Sequence, residues 1–300
     1  MDGLVRFSFY LFAGGSMAVI GAAVMYIIYA VGRLRVQRAQ LTTPGGQSVP
    51  TSSLHAEEGP IGYARLGTML TIFGWLSIGG AIAARWGAAG HFPLSNMYEY
   101  SMMFVFWACM FNLIFERMYK VRQLGAIVMT VAALMCLYIW SLPADMREVN
   151  PLIPALQANA IMPFHVGSFT LAYATFAVAF GAAILFLIKE RTSVAWLPSA
   201  EMLDDVGFRA VTIGFPFFTL GLILGSVWAH DAWGVYWSWD PKETSALFTW
   251  LVYAVYLHTR TLRGWTGRRS AYVLLFGFAA TIFTYYGNYF FGGLHAYGGV

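Results

Sequence analysis

The chain has 300 residues, 59% of them hydrophobic and 11% charged, against about 25% charged in an ordinary soluble domain, so a soluble fold could not hide its apolar surface. Aromatic residues make up 17%, with 11 Trp and 24 Phe, which suits a membrane interface and equally a flat apolar ligand. The net charge of +4 arises from short basic clusters between apolar runs, and without a basic stripe no nucleic-acid partner is expected.

Crossing about 30 Å of hydrocarbon takes roughly 20 mostly apolar residues. Eight runs meet that length, at 7–31, 63–84, 98–116, 124–142, 164–188, 208–229, 244–259 and 270–292. They predict an all-α polytopic integral membrane protein of about eight transmembrane helices. The first run is too long and too weakly flanked by basic residues for a secretory signal, so it reads as an anchor. The segment 40–60, QLTTPGGQSVPTSSLHAEEGP, reads as a flexible cytoplasmic linker that sets a peripheral first helix apart from the rest. The expected division is therefore 1–62, anchor and linker, and 63–300, the working transmembrane domain. Cys109 and Cys136 sit inside apolar runs, 27 apart. They form no CxxC pair, and neither a disulfide nor thiol chemistry is expected of them.

Lys and Arg are retained on the cytoplasmic side of short loops. Arg33, Arg35 and Arg38, then Arg117, Lys120 and Arg122, then Lys189 and Arg191, then Arg260, Arg263, Arg268 and Arg269 fall on alternate loops. With Arg65 and Arg209, 14 basic residues lie on that side, against Arg6, Arg85, Arg147 and Lys242 on the other. Both termini are thereby expected outside.

In this orientation MPFHVGSF around His165, SVWAHDAWGVYWSWDPKE and the terminal GGLHAYGGV all reach the outer surface. Trp228, Trp233, Trp237 and Trp239 place four of the 11 tryptophans within twelve residues, next to Tyr236. An interfacial belt explains one or two such rings. A stacking platform for a flat macrocycle such as heme explains the density. Heme also takes axial imidazoles. His165 and His295 each lie just outside a span and could flank a plate over the loop, although a hydrogen-bonded cap is the plainer role for either alone. Asp240, Pro241 and Glu243 have the spacing of a capping box for the seventh span. Lys242 or Arg147 could pair a carboxylate on the ligand.

WGVYWSWDPKETSALFTW, PLSNMYEY and LHAYG together resemble the CcsA (ResC) family of system II cytochrome c biogenesis proteins, from about Pro93 to the end of the chain. The WGxYWxWD string marks the wider heme-handling superfamily with CcmC and CcmF. The continuation PKET, with PLSN and LHAYG, is the CcsA pattern. The resemblance implies that Trp233, Gly234, Tyr236, Trp237, Trp239 and Asp240 form the heme-binding WWD motif in an external loop at about 229–243, and that His165 and His295 are external ligands to heme iron. It implies a transmembrane heme site at His258, for which a helix end favoured by the dipole is the plain alternative. His230 and Asp231 stand where the family typically has an Asn-Glu or similar pair, adding a third external imidazole.

The activity implied is that of the heme-binding subunit of a holocytochrome c synthase. Non-covalent heme b would be carried or presented for covalent attachment to CxxCH apocytochromes, together with a CcsB/ResB partner. The membrane would be the bacterial plasma membrane or the thylakoid, with the working site on the extracytoplasmic side. Two other classes use similar ligands: a heme exporter without synthase activity, and a b-type electron-transfer subunit. The second would place its ligand pairs within adjacent spans.

Overall fold

The computed structural model describes residues 2–41, 54–192, 196–287 and 291–295, and all regular structure among them is helical. The long helices follow the eight expected runs. They are α1 (Asp2–Leu41), α2 (Leu54–Ala89), α3 (Met97–Tyr119), α4 (Gly125–Ser141), α6 (Met162–Arg191), α7 (Ala200–Trp233), α8 (Pro241–Arg263) and α9 (Arg268–Tyr286), with a single-turn α5 at Pro154–Gln157. Among the described residues, six helices are long and apolar enough to cross a bilayer: Gly3–Arg33, Ile61–Ala89, Met97–Tyr119, Arg122–Ser141, Met162–Arg191 and Ala200–Trp233. The chain is thus an integral membrane protein.

Helices α8 and α9 fall outside that set, and several of their hydroxyl residues, Ser245, Thr249, Thr281 and Thr284, turn inward. Thr249 and Thr284 hydroxyls meet at 2.8 Å, and Thr284 Oγ1 also donates to the Ser245 carbonyl at 3.0 Å. With these groups paired inside, Phe248, Leu251 and Val255 are left on the exposed side of α8. Hydrogen-bonding side chains against a neighbouring helix is how membrane helices accommodate polar residues.

Several boundaries differ from the sequence expectation. Ser199 caps α7, its Oγ accepting from the Met202 amide at 3.2 Å, and the helix runs on through Trp233. Residues 229–233, expected in the loop, therefore form the last turn of α7. Helix α2 begins at Leu54, inside the expected linker, while residues 42–53 lie outside the described ones. Nor is the first helix peripheral: Phe12, Val19 and Tyr26 are buried as α1 packs against α2 and α4. Cys109 and Cys136 are free and buried, as expected.

Helix α6 is the centre of the bundle and packs against α3, α7 and α9. Its buried alanines let neighbours approach, and Gly207, Gly214 and Gly221 repeat every seventh residue along the facing side of α7. Small residues at such spacing allow close backbone approach where hydrophobicity supplies no drive between helices. His165 and Lys189 lie near opposite ends of α6, about 36 Å apart at 1.5 Å per residue. The basic end is tied by Glu116, which accepts from Tyr26 Oη at 2.5 Å and Thr68 Oγ1 at 2.7 Å and pairs with Arg122 at 3.4 Å.

The opposite end is tied by Arg85. Its Nε lies 2.5 Å from Glu99 Oε1, with the two side chains 2% and 1% exposed. Its other nitrogens donate to the carbonyls of Arg147 and Glu148, each at 2.6 Å. Glu99 Oε2 accepts from the Ser95 amide and hydroxyl, so one buried pair fixes the end of α2, the start of α3 and the 3-10 turn at Ala144–Arg147. Removing one member of a buried pair strands the other charge at about 3–5 kcal/mol. Arg85→Met should therefore lower the unfolding midpoint of the detergent-purified protein sharply, and Glu99→Gln in that background should restore part of the loss. An unchanged midpoint in Arg85→Met would contradict this role.

Candidate functional site

Four segments far apart in sequence meet at the Arg85 end of the bundle: the first turns of α6, the last turns of α7, the start of α8 and the stretch 291–295. The tryptophan string between α7 and α8 is shaped by local rules. Gly234, at φ 80°, ends α7 in the left-handed region, its amide donating to the His230 carbonyl at 2.8 Å. Trp239, at φ 61°, also adopts that region, which is strained for a bulky residue. The chain then turns into Asp240, the N-cap of α8. The capping box read from the sequence is present: Asp240 accepts from the Lys242 amide at 2.8 Å and Glu243 accepts from the Asp240 amide at 3.2 Å.

Asp240 is more than a cap. Its Oδ2 accepts from the Leu294 amide at 2.6 Å, and its Oδ1 lies 3.1 Å from His295 Nδ1. Gly293, at φ 110°, makes room for this, since a Cβ there would fall 2.3 Å from Asp240 Oδ2. Burial alone would raise the Asp240 carboxyl, but the hydrogen bonds from His295 and the two amides outweigh it and hold the group down at about 2. The carboxylate can only accept, so His295 Nδ1 must donate, and Nε2 is left as the basic nitrogen of the ring. Burial in turn lowers the His295 pKa, in spite of the nearby carboxylate, and favours the neutral imidazole.

His165 reaches the same tautomer by another route. Its Nδ1 lies 2.7 Å from the Gly221 carbonyl of α7, which can only accept. The ring lies so close to α7 that a Cβ on Gly225 would fall 2.3 Å from its Cε1. Trp228 packs on both imidazoles. It is 1% exposed, its indole is stacked on His165 at 5.8 Å and 15°, and it lies 5.8 Å from His295. Its Nε1 donates to the Ala155 carbonyl of α5 at 3.0 Å. Trp233 packs edge-on against both Trp228, at 4.7 Å, and His295, at 4.8 Å.

Both imidazoles border one cavity with an empty volume of about 1210 Å³ including its mouth. Tyr100, Phe169, Tyr173, Trp228, Trp237 and Tyr285 give it an aromatic lining, and Ser95, Asn96, Lys242 and Glu243 add polar groups. This is the composition of a pocket for a large flat apolar ligand with a few polar substituents. Two neutral imidazoles with oriented rings could also hold a metal within it.

The expected site residues divide between this cavity and its surroundings. His165, His295, Tyr236 and Trp237 line it, while Asp240, Trp233 and Gly234 shape the lining from behind. Trp239 is 68% exposed and touches Trp237 edge-on at 5.6 Å, outside the lining. His230 stacks on Tyr236 at 4.3 Å and meets Asp231 at 3.2 Å, also outside the lining. His258 is exposed far along α8, away from this end. Of the terminal LHAYG, only Leu294 and His295 are among the described residues.

Two contributors go beyond what the sequence suggests. Trp228, one of the tryptophan cluster, is the buried partner of both histidines. Leu94, Ser95, Asn96, Met97 and Tyr100 of the PLSNMYEY segment form one wall. No linear spacing signals the first, whereas the second follows from what the α2–α3 connection carries to this end. His91, a further imidazole of that connection, lies off the lining with Nδ1 3.2 Å from the Phe92 carbonyl.

A sequence model of the family described as cytochrome C assembly protein matches residues 94–295, the stretch that builds this cavity. A cytochrome c biogenesis protein CcsA from Chlamydomonas reinhardtii is 43% identical, the match covering 72% of this chain and 64% of that one. CcsA proteins from Guillardia theta, 39% identical over 76% of this chain and 84% of that one, and from Synechococcus sp. (strain JA-3-3Ab), 37% identical over 85% and 89%, are matched over more of their length. Among solved structures, a cytochrome c heme lyase CcmF shares the fold, with TM-score 0.62 and 16% identity, over 92% of this chain and 46% of that one. The chain belongs to the cytochrome c assembly protein family, and within it to the CcsA cytochrome c biogenesis proteins of the membrane.

Proposed function

We propose that this chain holds non-covalent heme b in the aromatic cavity between His165 and His295, on the extracytoplasmic side of a bacterial plasma membrane or a thylakoid, and presents it to CxxCH segments of apocytochromes c. The observation that carries the reading is the pair of imidazoles bordering one cavity, each with Nδ1 committed to an acceptor. That commitment fixes ring direction and leaves Nε2 as the coordinating nitrogen on both. The residues fit heme in three further respects. The lining is aromatic, the cavity opens at a membrane end, and Lys242 is a cation inside it. The CcsA relatives and the heme lyase fold support the same assignment.

The work of the protein in this reading is positional. Holding a macrocycle edge and two incoming thiols in a near-attack arrangement removes the entropy of their encounter. The thiols belong to the apocytochrome, since Cys109 and Cys136 are buried among the helices. A CcsB/ResB-type partner completes the synthase. His258 belongs to a second heme site within the membrane, its imidazole exposed on α8 along the line of Phe248, Leu251, Val255 and Leu262. A pure exporter would bind heme through the same residues without engaging CxxCH peptides, so peptide binding by the purified partner complex separates the two classes.

In a strain reporting holocytochrome formation, His165→Gly and His295→Gly should each lower the product by about tenfold or more, the equivalent of at least 1.4 kcal/mol. Added imidazole should restore part of it. His230→Asn should retain most activity, because that ring is engaged with Tyr236 and Asp231. Silence of either glycine variant, or an imidazole-rescued loss in His230→Asn, would overturn the ligand assignment. His258→Ala should lower heme content at both sites of the purified partner complex, measured by pyridine hemochrome. Full heme content and full maturation in that variant would leave His258 as a helix-end residue only.

A further inference from the structure

We infer that Lys242 is the carboxylate-binding residue of the cavity, pairing a propionate of the macrocycle and so setting which edge of the ring faces the incoming thiols. This rests on the heme-holding reading above and goes beyond it by naming the polar contact that orients the ligand in its plane. The sequence left Lys242 and Arg147 as equal candidates, and the structure separates them. The Arg147 guanidinium donates to the Trp140 carbonyl at 3.2 Å and lies 5.5 Å from the Trp140 ring and 5.9 Å from that of Phe9, outside the cavity lining. Lys242 lines the cavity, its Nζ 5.9 Å from the Tyr100 ring centroid.

The carboxylates on either side of Lys242 in sequence have partners of their own. Asp240 spends both oxygens on His295 and on the amides of Lys242 and Leu294. Glu243 Oε2 accepts from the amides of Ser238 and Asp240 and from the Ser238 hydroxyl. Among the described residues no ion pair joins Lys242 to either, whereas Arg85, Arg122, Arg209, Arg260 and Arg268 each have a carboxylate within 4.0 Å. A cation held in an aromatic cavity, beside carboxylates already engaged elsewhere, is matched by an anionic group on the ligand. Lys242 sits two residues from Asp240, the residue that aims His295. A carboxylate substituent held by Lys242 would thus fix how the ligand is turned within the cavity.

The test uses the purified complex with its partner, stripped of heme and titrated with heme b or with its propionate dimethyl ester. Binding is followed by the absorbance of the bis-imidazole species. Unaltered protein should bind heme b more tightly than the ester by about tenfold or more, the scale of a charge-assisted hydrogen bond. Lys242→Met should bind both porphyrins alike, near the ester value, while keeping the bis-imidazole spectrum. Lys242→Arg should keep a preference for the free acid, and Arg147→Met should leave the preference unchanged. Full discrimination in a folded Lys242→Met complex would overturn the assignment of Lys242 while leaving His165 and His295 in place. Failure of the unaltered complex to bind either porphyrin would overturn the heme reading on which it rests.

Discussion

The carboxylate of Asp240 is the interaction on which this end of the molecule depends. One side chain starts α8, receives the Leu294 amide and fixes the tautomer of His295. The three tasks are mutually supportive. An N-cap oxygen is stabilised as an anion by helix amides, and an anion is what a donating Nδ1–H requires. The low pKa of Asp240 near 2 is the thermodynamic expression of these contacts. In the DPKE string the structural reading and the functional one are therefore the same observation, because the geometry that caps the helix also aims the imidazole.

His165 is held by contrasting means. Among the described residues, no carboxylate is hydrogen-bonded to it. A helix carbonyl receives its Nδ1, and a missing side chain at Gly225 makes room for the ring. The one imidazole is fixed by electrostatics at a loop, the other by close packing between two long helices. The sevenfold glycine spacing on α7 explains how α6 and α7 come near enough for this. Substitutions along that spacing would be felt at the ring without touching it.

Much of the architecture was legible in the sequence because bilayer physics leaves few options. Apolar runs of about 20 residues must be helices, and each of the eight expected runs holds one of the long helices. Boundaries were less legible, since Ser199 and the AHDAW segment extend α7 in both directions past its apolar stretch. Helices α8 and α9 show why hydropathy alone stops short: their hydroxyls pair with each other, and no linear average records who faces whom. At the site, the motif residues were visible as a string, but their division of labour was not. Trp228, Trp233, Trp237 and Trp239 look equivalent in sequence. In space they are respectively a buried ring in contact with both imidazoles, an edge packed on His295, a cavity wall and a mostly exposed ring held at positive φ.

The placement of Trp228 has a mechanical consequence. Its indole touches both imidazoles while its N–H is held by the Ala155 carbonyl of the single-turn α5. The two rings are thus not independent levers. The turn at Pro154–Gln157, the indole it holds and both imidazoles form one continuous run of contacts, so a substitution in the turn bears on both rings through a single bicyclic plate.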